Sequence, residues 1–127
     1  MCSSDLVQQE STRLAEIADK DIRAFEDYMD CVRSKQPRDE AMREAIRVPM
    51  DAARSALHGI ELCREATALF SNGLTAADLG AAASLLRGAA EAMLLSVEAN
   101  LAYLPPGDPF RAGTTAEISA LRRISSV

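Results

Sequence analysis

The chain has 127 residues, of which 48% are hydrophobic and 26% charged, with a formal charge of −5. That length holds a single domain (residues 1–127) with a real core, and the composition argues against disorder. Its acidic balance repels polyanions and its Lys and Arg are scattered, so nucleic acid is not an expected partner.

Breaks at Pro and Gly divide the chain into four helical segments. The first runs from about Asp5 to Arg33. At 100° per residue, Val7, Glu10, Leu14, Ile17, Ala18, Asp21, Ala24, Phe25, Tyr28 and Val32 fall within about 60° of one line. Asp21 stands among the apolar members of that stripe, whereas Asp19 points to the opposite side. Ser34-Lys35-Gln36-Pro37 ends the segment.

The second helix is expected from Asp39 to about Phe70, with Met42, Ala45, Ile46, Pro49, Ala53, Ala56, Ile60 and Cys63 on one side. Pro49 lacks a donor and crowds the preceding turn, which predicts a kink or short break. Ser71-Asn72-Gly73 reads as a left-handed closure. Thr75-Ala76-Ala77-Asp78 reads as a capping-box variant that places Asp78 at the N-terminus of the third helix.

That third helix, to about Tyr103, is apolar nearly all round, so it is either central or at a subunit contact. Gly80, Gly88 and the alanines permit close backbone approach. Within it, Leu79 to Val97 is the most membrane-like stretch, but Arg87 and Glu91 near its middle favour a buried helix over a membrane span. After the break at Leu104-Pro105-Pro106-Gly107-Asp108-Pro109, Thr114 is expected to cap a short last helix bearing Ile118, Leu121 and Ile124. The fold class is therefore all-α, an antiparallel helical bundle.

Cys2, Cys31 and Cys63 are odd in number and widely spaced, as expected of reduced thiols in a cytoplasmic protein. The N-terminus lacks a basic segment followed by an apolar one, so no secretory signal is expected. One histidine and three unclustered cysteines make no metal site, and His58 reads as an ordinary helix-surface residue. The dispersed glycines form no phosphate loop. What remains is a carboxylate on an apolar face. Asp21 is either a core carboxylate satisfied by a neighbouring helix or an acid/base group lining a cleft. Asp78 is explained by the helix dipole alone.

Four blocks occur in order: Asp19-Lys20-Asp21-Ile22-Arg23-Ala24-Phe25; Ala45-Ile46-Arg47-Val48-Pro49-Met50; Asn72 with Asp78-Leu79-Gly80-Ala81-Ala82; and Val97-Glu98-Ala99-Asn100-Leu101. Their ordered combination, over Leu14 to Tyr103, resembles the cyclodeaminase/cyclohydrolase family of one-carbon metabolism. The resemblance implies a homodimer that binds a reduced folate near the subunit contact. It implies hydrolysis of methenyltetrahydrofolate or deamination of formiminotetrahydrofolate, with the tetrahydrofolate derivative as substrate and with no cofactor and no metal.

It further implies Asp21 as the catalytic acid/base, with Asp78, Asn72 and Asn100 near the ligand. Two departures stand out: the family's Pro-Gly-Gly-Gly-Ser-like opening with its first helix and Lys-bearing stretch is not found, and Ala77 occupies a position where Ser is common. The chain thus corresponds to the later part of the family's domain. Absence of the opening segment gives the alternative of a truncated, non-catalytic helical dimer or interaction module, with apolar surface left exposed.

Overall fold

The computed structural model describes residues 3–70 and 72–126, and Cys2 and Ser71 of the sequence-based expectations lie outside them. Four helices make up the fold: α1 (Ser3–Ser34), α2 (Asp39–Leu69), α3 (Gly73–Leu101) and α4 (Pro109–Ser125), with no strand among the described residues. Short links reverse the chain between α1, α2 and α3. Ala45 lies opposite Asn100 and Gly59 opposite Leu86, which fixes α2 and α3 as antiparallel. The protein is an all-α bundle.

The central helix is α2. Its predicted apolar side is buried at Met42, Ile46, Pro49, Ala53, Ala56 and Ile60, but Val48, Met50, Ser55 and Leu57 are buried as well. The reason is that α1 covers one side of α2 while α3 and α4 cover others. The main core joins Met42, Ile46, Met50 and Ala53 of α2 to Leu94, Val97 and Leu101 of α3, with Leu104 and Ile118 closing it. Along α3 only Ala90, Leu94, Val97 and Leu101 are buried, so within one chain this helix has a single covered face. By length and composition it is apolar enough to cross a membrane.

Helix α1 ends where expected, and three other helix ends differ from expectation. Lys35 takes the left-handed conformation (φ 55°) that closes α1, and the Gln36 N–H reaches the Cys31 carbonyl at 3.0 Å. At the end of α2, Phe70 is extended and no left-handed residue follows among the described residues. Asn72 caps α3, its Oδ1 accepting from the backbone N–H groups of Leu74 (2.9 Å) and Thr75 (3.2 Å), so Thr75 is not the cap and Asp78 sits in the second turn. Asp108, six residues ahead of Thr114, caps α4 with Pro109 in its first turn, because a fixed φ and a missing N–H suit that position.

Ion pairs fasten α4 to both neighbours. Arg54 holds Glu117 at 2.7 and 2.9 Å, and Arg122 reaches Glu91 and Glu98, each at 2.7 Å. Arg43 grips the capping Asp108 at 2.7 Å, and Arg47 lies 5.2 Å from the centre of the Phe110 ring. By contrast α1 packs on α2 alone.

Candidate functional site

Because α1 touches only α2, a cleft runs between α1 and α3 with α2 as its floor. Leu14 of α1 stands midway and lines a chamber on either side.

The first chamber, about 350 Å³, is walled by Ile17, Ala18, Asp21 and Ile22 of α1, by Pro49 and Ala52 of α2, and by Met93 of α3. Ile17 and Ala24 anchor this stretch of α1 on Val48. Asp21 is the one charged side chain lining the chamber. It is exposed at the rim and engaged by no hydrogen bond or ion pair among the described residues, so the buried core carboxylate weighed from the sequence is not what forms.

Pro49 contributes to this chamber in a second way. A residue in a helix interior normally donates its N–H to the carbonyl four positions back, and proline cannot. The carbonyl left without that donor is Ala45's, and the Asn100 side-chain amide donates to it at 3.3 Å. α2 runs unbroken from Asp39 to Leu69 through Pro49, so the break allowed for at that residue does not form. Asn100 thus has a structural duty that its sequence position does not announce.

The second chamber, about 270 Å³, lies nearer the N-terminus of α1. It is bounded by Val7, Leu62, Ala66, Leu79 and Leu86, among others, with Glu10 and Ser55 as polar groups. The Ser55 hydroxyl, 2% exposed as a residue, donates to Glu10, whose side chain is 15% exposed, and His58 Nδ1 sits 3.1 Å from the same carboxylate. Burial pushes the Glu10 carboxyl up, but the hydrogen bonds from Ser55 and His58, with the charges of His58 and Arg13, outweigh it and hold it below the ordinary 4.5.

The order of the trio matters. Here the carboxylate lies between hydroxyl and imidazole, whereas nucleophile activation needs the imidazole between them. Glu10 is thus a tied-down anion that joins α1 to α2. His58 is exposed, as expected, but has a partner. The sequence reading missed this group because its members come from two helices with no shared motif. The available signal was that Glu10, like Asp21, lies on the apolar stripe of α1.

The remaining expected residues do not converge in one chain. Asn100 is near the Asp21 chamber, one helical turn of α2 separating its partner Ala45 from Pro49. Asp78 stands fifteen residues from Met93 on α3, about 22 Å at 1.5 Å per residue. Asn72 lies farther still, occupied with its cap. No group of three or more His, Cys, Asp or Glu that could hold a metal ion occurs among the described residues.

No curated protein and no solved structure matches the chain. The family model described as formiminotransferase-cyclodeaminase matches residues 3–119, which extends well beyond the four blocks at both ends. With that match over nearly its whole length, and a helical cleft edged by the residues of those blocks, the chain belongs to the formiminotransferase-cyclodeaminase family.

Proposed function

We propose that the chain binds a reduced folate in the α1–α3 cleft and transfers protons at its one-carbon bridge, in the cytoplasm. The reaction is methenyltetrahydrofolate hydrolysis or formiminotetrahydrofolate deamination. The observation that carries this reading is the contrast between the cleft's two carboxylates: Glu10 is tied to Ser55 and His58, while Asp21 is unengaged beside an apolar chamber. A free carboxylate at an apolar wall offsets the positive charge of a methenyl bridge and accepts a proton. In the hydrolytic reaction water adds to the methenyl carbon as Asp21 takes its proton. The bond from that carbon to N5 then breaks, N5 takes up a proton, and one proton is released overall.

Mixing the protein with 5,10-methenyltetrahydrofolate and following loss of its absorbance tests this. We expect acceleration over buffer that Asp21→Asn removes, with the melting curve within about 0.5 kcal/mol of the parent because Asp21 is an exposed, unpaired surface group. Undiminished rate in that variant removes Asp21 from the chemistry.

A second reading, a non-catalytic helical interaction module, is favoured by one observation. Asn72 and Asn100 both serve backbone groups of their own chain. Such a module gives no folate-dependent thermal shift and no turnover of either the methenyl or the formimino compound.

A further inference from the structure

Nothing in the proposed proton transfer uses the chamber at the N-terminal half of α1. Eleven residues, about 16 Å of helix, separate Glu10 at its wall from Asp21, and Leu14 stands between the two spaces. Three helices line it, with Val7 and Leu14 from α1, Leu62 from α2, and Leu79 and Leu86 from α3 among its walls. α2 and α3 meet closely along it, where Leu86 Cδ1 lies 2.9 Å from the place a Cβ would take on Gly59. An apolar cavity of about 150 Å³ takes up benzene, so this one, about 270 Å³, has room for about ten non-hydrogen atoms.

Among the described residues one charge lines this apolar space, that of Glu10. Its side chain is 15% exposed, so the carboxylate has given up most of its water. A carboxylate offers about four acceptor sites. Ser55 Oγ donates to one oxygen and His58 Nδ1 faces the other, which leaves about two sites unfilled. Neither partner has to bring a charge: the hydroxyl is neutral, and the imidazole is charged only when protonated. Arg13, the other cation acting on Glu10, is exposed. From α3 the chamber takes Leu79, Ala82 and Leu86, none of them ionisable, and Cys63 of α2 is the remaining titratable group at its wall. With the imidazole neutral, a largely buried anion therefore borders an apolar space with no cation in contact with it. An anion so placed favours a positive charge beside it.

We propose that this chamber binds a hydrophobic primary ammonium ion, its charged nitrogen on the Glu10 carboxylate and its apolar body among Leu14, Leu62, Leu79 and Leu86. The ammonium brings three donors to the unfilled acceptor sites, and the body displaces poorly held water from the leucines. A ligand carboxylate is repelled, and a neutral ligand of the same shape gains the packing alone. Protonated His58 supplies a positive charge of its own, so the imidazolium and the ammonium compete for Glu10, and affinity falls as the imidazole takes up a proton. Bound there, the ligand bridges α1 and α3, which otherwise do not pack on each other.

The test needs no folate, so its failure and that of the enzymatic reading are separate. Isothermal titration calorimetry at about pH 8 with 3-phenylpropylammonium, which is about the size of the chamber, is set against 3-phenylpropan-1-ol and 3-phenylpropionate. The ammonium should bind about ten- to a hundredfold more tightly than the alcohol, as a charge-assisted bond in a buried place requires, and the propionate more weakly than both. Glu10→Gln keeps an acceptor for Ser55 and should bring the ammonium down to the affinity of the alcohol. Ala82→Phe should fill the space and remove binding of both, with the helical circular dichroism spectrum unchanged. Lowering the pH to about 5.5 should shrink the advantage of the ammonium in the parent but not in His58→Gln. Equal affinity for ammonium and alcohol, or binding of neither, overturns the proposal. So does an advantage that disappears in Asp21→Asn and persists in Glu10→Gln, or binding that survives Ala82→Phe.

Discussion

α1 docks on α2 alone and α4 on both α2 and α3, and the two helices are fastened by different means. α4 has 17 residues against 32 for α1. Yet α4 drives Ile118 into the main core, touches both α2 and α3, and is held by two-pronged arginine pairs to each. α1 buries Ile17 and Ala24 against Val48, lays a half-buried Tyr28 on the main core, and adds the Glu10 tie. Ion pairs to two neighbours hold α4, whereas a long contact with one neighbour and a single buried polar tie hold α1. Since α1 is one wall of the cleft, its attachment to α2 shapes the candidate site.

Core truncations break or sharpen that contrast most strongly. Ile118→Ala should cost about 3–4 kcal/mol, and Ile17→Ala about 2 kcal/mol, because fewer neighbours surround the space it leaves. Urea unfolding monitored by circular dichroism reads both; equal losses would mean that α1 is as well anchored as α4.

Next in size is the polar tie. Glu10→Ala leaves the buried Ser55 hydroxyl without its acceptor and should cost about 1–3 kcal/mol. Faster amide exchange confined to α1 should accompany it. The same tie gives a pH dependence. The folded carboxyl lies below the 4.5 of the free group, so its stabilisation is complete above that value and is lost as pH falls through the lower folded value. Acid titration of stability should therefore flatten at the low-pH end in Glu10→Gln, and an unaltered profile would count against the tie.

The smallest effect concerns the cleft floor. Asn100→Ala should cost about 1–2 kcal/mol by stranding the Ala45 carbonyl. In a Pro49→Ala background the helix N–H returns to that carbonyl, and the cost of Asn100→Ala should shrink to a few tenths of a kcal/mol. Additive losses in that double-mutant cycle would show that Asn100 acts elsewhere.

Much of this architecture is legible in the sequence. Four helices, the end of α1 at Ser34-Lys35 and the inner side of α2 follow from periodicity and breakers. The second buried face of α2 does not, because a helix enclosed by neighbours shows too broad an apolar arc to name each of them. The start of α4 at Asp108-Pro109 was present as an N-cap followed by proline, but lay inside a run that reads as pure break. At the candidate site, Asp21 is visible as a carboxylate on an apolar stripe. Its exposure is not, since a stripe fixes direction and not what lies opposite. Asn100's bond and the Glu10 trio depend on register between helices, which no local pattern encodes.

The bond between Asn100 and the carbonyl freed by Pro49 also bears on how such a sequence can drift. Proline gained alone strands an acceptor, and asparagine lost alone strands the same one, whereas the two changed together cost little. Relatives should therefore keep the pair or lose the pair. A lineage carrying one without the other would have to supply a different donor, and an alignment of the family would reveal that substitution as a correlated third position.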